Sequence, residues 1–418
     1  MSAEKYQPWY QQRKNELDGL RVLAFGLLIL YHLGMAYVAD WGWHVKSQYQ
    51  SEFVQYLMLW SNQWRMSLLF LISGAAIAYQ LQRCSGLGFF RRTATRLFVP
   101  LVFGSVFIVA PQVYIEIKSE TSFDLDYVQF WWQYIGFGEL PHVYIRLVPT
   151  NLTYNHLWYL CYLFAYITIL WLLYPFVRRV TASPLARVLV ARMPGWSLLL
   201  VPAVGVFLIG ELLWEAYPTT FTLVDDWYNH ARYVFVFLLG FGVVQSNRLW
   251  QAFKQYRYLS LTLGVICYLV IVFLVNGGSI SHYLPLVEPI EGYVKGAIWS
   301  ANSWLWISAV LGFGQALLAR PKAWVQRANR AVFCFYILHQ TLIVVSVYAL
   351  ANMTLGPILE PLLVLIITLA VSLAGYRLAS RYTWLGAVLG VKPEQGDSVL
   401  SAAIAPTSVA KRDVAQNL

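Results

Sequence analysis

The feature that most constrains the fold is a recurrence of apolar runs about 20 residues long, the length a helix needs to cross a bilayer core. Ten such segments can be read along the 418 residues. They start near Leu20, Ser61, Leu97, His156, Trp196, Tyr233, Tyr258, Tyr293, Ala331 and Pro357. Backbone inside lipid must satisfy its own hydrogen bonds, so apolar spans of this length are read as helices. The sequence therefore predicts an all-α polytopic integral membrane protein of about ten transmembrane helices. Composition agrees, with 59% hydrophobic and 12% charged residues, against about 45–50% and about 25% in a soluble domain. The 18 tryptophans and 28 tyrosines suit two membrane–water interfaces.

The net charge of +10 is not read as a nucleic-acid signal, because the basic residues are sorted by side. Alternate connections and the two ends of the chain hold 23 of the 30 lysines and arginines. By the positive-inside rule both termini are expected in the cytoplasm, with an even number of spans. The first 17 residues are polar and lack the apolar core and small-residue cleavage site of a secretory signal, so the first helix is expected to be retained. One membrane domain is expected over residues 1–392, followed by a disordered cytoplasmic tail over 393–418. Four scattered cysteines offer no disulfide or metal framework. The long external connection, roughly Lys118 to Asn155, is rich in aromatics (FWWQYIGFGEL) that could pack or meet a sugar-like ligand.

The first span carries the chemistry. In DGLRVLAFGLLILYH, Arg21 and His32 are eleven residues apart, almost three turns, and share one face. His32 would lie about 16 Å deeper than Arg21, near the membrane midplane. Asp18, three residues before Arg21, can pair with it. A titratable group at that depth usually lines a cavity or a pathway. His339, in FCFYILHQT, is a second deep histidine, expected about 12 Å from the cytoplasmic edge. His156 (NHLWYL) and Glu116 (PQVYIE) are expected at the outer rim. In RCSGLGFFRRTATRLFVP, Arg92 and Arg96 are spaced i,i+4 where the third span begins, which suits phosphate on a cytoplasmic ligand.

Taken together, these residues resemble the membrane acyltransferase 3 family. Its hallmark is an arginine, ten intervening residues and a histidine on the first membrane helix, as in Arg21-VLAFGLLILY-His32. Ser73 and Gly74 in FLISG resemble a second family feature, and the arginine-rich loop leading into a proline-containing helix a third. WHVKS, RMSLLFLISG, PQVYIE, HLWYL and FYILHQT are more similar to the branch that includes the glucans biosynthesis protein C. One departure stands out. Family members often carry two arginines three apart before the third helix, whereas here Thr93 stands where the first of them would fall and Arg92 is one place earlier.

The resemblance implies transfer of an acyl group of acetyl or succinyl type. The donor would be a cytoplasmic acyl-CoA, and the acceptor a hydroxyl on an extracytoplasmic glycan, glucan or other envelope molecule. No metal and no nucleic acid are implied, the lipid bilayer is the surroundings, and the expected location is the bacterial inner membrane. His32, Arg21 and Asp18 become the expected catalytic group, with His32 either the general base or a transient acyl carrier, and Arg92, Arg96 and Ser73 the donor-binding one. Glu116, His156, His339 and His44 (in WHVKS) are expected on the acceptor side. A cation such as Lys46 or Arg65 could meet the carboxylate of a succinyl group. The residues themselves leave a second class open, a proton-coupled transporter or flippase with His32 and His339 as relay. The internal repeats and paired helix breaks common in transporters are not visible in the sequence.

Overall fold

The structure is a computed structural model that describes residues 14–121, 124–136, 140 and 151–392. The expected tail over 393–418 lies outside the described residues. Sixteen α-helices follow in chain order: α1 Asn15–Met35, α2 Glu52–Asn62, α3 Arg65–Arg83, α4 Leu87–Phe103, α5 Ala110–Glu120, α6 Tyr127–Ile135, α7 Trp158–Ala182, α8 Pro184–Arg192, α9 Ser197–Leu213, α10 Trp227–Val243, α11 Asn247–Val275, α12 Ile280–Tyr283, α13 Glu291–Leu317, α14 Ala323–Leu350, α15 Gly356–Arg381 and α16 Thr383–Val388. Among the described residues there is no β-sheet, only a bridge between Val38 and Ser51.

Every segment expected to span is helical, but they are not equal. Seven stretches are long and apolar enough to cross a bilayer, and the α8–α9 pair, bent by 110°, would make an eighth. The rest fall short for local reasons. Helices α9 and α10 have 17 residues each, about 26 Å of helix against a core of about 30 Å. Helix α13 has 27 residues but includes Glu291, Lys295, Asn302 and Gln315.

Helix α1 packs beside α14, and α3 crosses α10 closely. That crossing depends on two glycines. A Cβ on Gly74 would overlap the Phe237 carbonyl of α10, and one on Gly240 would overlap the Leu71 carbonyl of α3. In lipid, where apolar burial gives little drive between helices, such close backbone approach supplies the packing. Helices α4 and α5 are joined by a π-helical turn, Gly104–Ile108, just ahead of Pro111. The widened turn frees backbone carbonyls. Tyr134 of α6 donates to Ser105 O (2.8 Å), Trp131 Nε1 donates to Val106 O (2.9 Å), and Thr341 of α14 donates to Ile108 O (2.6 Å). Phe130 and Tyr134, from the aromatic connection, are thus buried packing residues.

Candidate active site

Helices α1 and α14 bring their histidines to one level. Helix α14 begins at Ala323, eight residues before the apolar run. His339 therefore lies about 24 Å along its helix from Ala323. It faces His32, with Nδ1 of His32 2.7 Å from Nε2 of His339 and ring planes 19° apart. The backbone settles the protons. His339 Nδ1 lies 2.7 Å from Tyr336 O and 3.1 Å from Phe335 O, both of which can only accept. His339 Nδ1 therefore carries hydrogen, its Nε2 accepts from His32 Nδ1–H, and in the neutral pair His32 Nε2 is left with a bare lone pair. No hydrogen bond to a described residue occupies that atom.

His156 is buried, and its ring stands perpendicular to that of His339 with centroids 5.3 Å apart. Its Nε2–H donates to Ile337 O (3.0 Å). A chain of polar side chains leads on from it. Ile108 O fixes Thr341 as a donor, so the Thr341 oxygen accepts from Gln112 Nε2 (2.6 Å), which also faces His156 Nδ1 (3.3 Å). Gln112 Oε1 then accepts from Gln340 Nε2 (3.0 Å) and Asn155 Nδ2 (3.3 Å). Gln340 Nε2 also donates to His44 Nε2 (3.0 Å), leaving His44 Nδ1–H to donate to Glu116 (2.6 Å). One freed carbonyl of the π-helical turn thus sets the proton positions through to Glu116.

The loop after α1 holds His44 and lays Trp43 nearly parallel to His32, 5.6 Å between centroids. Three backbone carbonyls anchor it. Lys46 Nζ donates to Met35 O (3.0 Å), Val38 O and Trp41 O (3.0 Å), capping the end of α1. Burial lowers its ammonium below the ordinary value. Lys46 is committed to the fold, which removes it as a partner for an acyl carboxylate. Ser47 and Tyr37 both donate to Glu360 on α15 (2.7 and 3.2 Å) and pin the loop from the other side.

Toward the start of α1 lies a cavity of about 890 Å³. Arg21, Arg83, Arg91, Arg92, Arg96 and Lys392 line it, with Ser73 and Tyr159 among the lining residues and Ser73 Oγ 2.7 Å from Tyr159 OH. Thr93 lines it too, so the i,i+4 pair Arg92 and Arg96 serves one cavity despite the departure in spacing. Six basic side chains around one space suit phosphate oxygens. Asp18 does not line this cavity. It stands behind Arg21 (3.8 Å) and accepts from Asn329 Nδ2 (3.2 Å).

Cavity and histidines are separated by one layer of rings. Phe25 and Tyr159 line the cavity, and Tyr336 packs on both, at centroid distances of 5.2 and 6.1 Å. Tyr336 in turn stands 6.0 Å from His339 and donates to His156 O (2.7 Å). Gln112, Gln340, Tyr336 and Trp43 are the members that sequence reading passed over. Each is next to, or within a few residues of, a residue singled out for its charge. An amide in an otherwise apolar run was the signal.

A sequence model described as an acyltransferase domain matches residues 14–377, which take in the histidine network and most of the cavity lining. No curated protein and no solved structure gave a match.

Proposed function

The chain belongs to the acyltransferase 3 family, an integral membrane enzyme that transfers acyl groups other than aminoacyl groups, and on that footing we propose its reaction. It takes an acetyl- or succinyl-type group from acyl-CoA at the arginine-lined cavity. It delivers that group to a hydroxyl of an extracytoplasmic glycan or other envelope molecule at the histidines. The observation that carries this reading is the bare Nε2 of His32, held by a histidine that is itself held by a backbone carbonyl.

The geometry supports general-base catalysis. His32 Nε2 takes the acceptor hydroxyl proton as the oxygen attacks the thioester carbonyl carbon. The developing positive charge is shared through the Nδ1–H bond to His339. Collapse of the tetrahedral intermediate breaks the carbon–sulfur bond, and His32 returns the proton to the leaving thiolate. Arg21, Arg92 and Arg96 hold the phosphates, Ser73 borders the acyl end of the cavity, and Asp18 positions Arg21. His44, Glu116 and His156 border the acceptor side.

Orientation follows from the basic residues, 23 of 30 on one side. Together with a reading of ten crossings, that asymmetry supports both termini and the arginine cavity in the cytoplasm, in a bacterial inner membrane. The test uses sealed vesicles with labelled acyl-CoA supplied on the cavity side. Label should appear on an acceptor at the opposite face, and His32→Ala, at normal protein level, should abolish it. Solute flux that depends on His32 without any acyl-CoA consumption would sink the proposal. Cysteines introduced near Arg92 and near Asp124 should be labelled from opposite faces.

A further inference from the structure

The corner between α2 and α3 collects hydrogen-bond donors that have nothing to donate to. Gln63, Trp64 and Arg65 are 7%, 3% and 3% exposed. Gln63 Nε2, Trp64 Nε1 and Arg65 Nε are buried without a hydrogen-bond partner, and so is Arg232 Nε. Arg232 reaches the corner from α10, donating to Gln63 O and to Ser303 Oγ (3.0 Å). The corner's acceptors are already taken. Gln63 Oε1 receives Asn302 Nδ2 (2.7 Å), and Gln63 O receives Ser303 Oγ (2.8 Å) as well as Arg232.

Neither guanidinium is ion-paired with a carboxylate among the described residues. Arg65 lies over the Tyr31 ring, 3.6 Å from its centroid, hydrogen-bonds the Tyr31 side chain and makes a long contact to Ser61 Oγ (3.4 Å). A guanidinium has five N–H donors and no acceptor, and in both arginines the Nε–H is left without a partner. Buried cations without counter-ions are expensive to maintain, and inside a membrane protein they mark where a ligand passes. Tyr31 immediately precedes His32, so the charge is one side chain from the imidazole pair. Trp60 and Trp306 pack at the same corner, 5.1 Å apart between centroids, and lower the local polarity that strengthens any charge-assisted bond made there.

We propose that this corner binds an anionic oxygen group of the substrate, a carboxylate or phosphate, with Arg65 as its principal cation. The proposal builds on the reading of His32 as the base that activates the acceptor. The anion could be the far carboxylate of a dicarboxylic acyl chain or a charged substituent of the acceptor. The two share the same chemistry at Arg65.

The test uses the purified full chain in detergent with succinate, inorganic phosphate and neutral glucose as probes, read by saturable thermal stabilisation. Succinate or phosphate should bind, glucose should not compete, and Arg65→Gln should weaken anion binding at least tenfold. Arg65→Lys should restore part of it. Trp64→Phe, which removes one donor and keeps an aromatic ring, should weaken binding less and serves if Arg65→Gln fails to fold. Comparing succinyl-CoA with acetyl-CoA consumption then identifies the carrier. A selective loss with succinyl-CoA in Arg65→Gln places the anion on the acyl chain, and an equal loss with both places it on the acceptor. Absence of saturable anion binding in the wild type, or binding unchanged in the Arg65 and Trp64 variants, overturns the site. Anion binding without any acyl transfer would uphold the site and defeat the reaction instead.

Discussion

His32 and His339 form a pair in which each ring does a different job. His339 is fixed by carbonyls of its own helix and in the neutral pair can only accept from its partner, so it orients His32 and, in the proposed reaction, would share its charge. His339→Ala should therefore lower kcat by about 10²-fold, the lower end for a general acid–base element, with KM for acyl-CoA unchanged. Steady-state kinetics at normal expression checks this, and a KM effect alone would contradict it. His32 and Arg21 were legible from one helix because a period of 3.6 residues aligns them. His339 was legible as a deep histidine but not as a partner, because pairing across 307 positions depends on how α1 and α14 pack. Gln112 and Gln340 were missed for a related reason. A neutral amide carries no sign in the sequence of which groups it will bridge.

At the scale of elements, the serine–glycine pair on α3 divides its labour. Ser73 faces the cavity, while Gly74 allows α10 to approach. Gly74→Val should cost several kcal/mol through overpacking and backbone displacement, seen as loss of folded protein by size-exclusion chromatography rather than as a kinetic defect. Helix α16 has a role the sequence reading did not give it. It packs on α4, and the chain turns back at Gly390 with φ +65° beside the Phe333 ring, bringing Val391 and Lys392 to the cavity. Lys392→Ala should raise KM for acyl-CoA about threefold to tenfold with kcat held, as removal of one phosphate contact of roughly 1 kcal/mol predicts. Helix identity was plain from the apolar runs. The turn at Gly390 was hidden because the run ends before it and its constraint is a contact with α14.

Among the described residues, Phe25, Tyr159 and Tyr336 separate the arginine-lined cavity from the buried histidine network. The arginine cavity suits a charged nucleotide, and the histidine end suits a hydroxyl. In the proposed reaction, the ring layer would keep water and acceptor away from the thioester until the acyl group is in reach. Shrinking it should make the enzyme leaky. Phe25→Ala should increase acceptor-independent hydrolysis of acyl-CoA relative to transfer, measured as free thiol released per acceptor labelled; an unchanged ratio would mean the layer is only packing. The bulk organisation was legible in advance because lipid permits few backbone solutions. The number of crossings was less so, since α9, α10 and α13 owe their place to neighbours rather than to length or apolarity.

The π-helical turn at Gly104–Ile108 has an evolutionary reading. Such turns amount to one residue inserted into an α-helix, and each residue of helix is worth about 100° of rotation. Without the extra residue, everything after it on the same helix would be turned by that angle, and Gln112 and Glu116 would no longer face His156 and His44. On that reading the proposed catalytic neighbourhood depends on a one-residue frame change in this helix. Relatives that lack the insertion should align with a one-residue gap here and should have lost the glutamine and glutamate together.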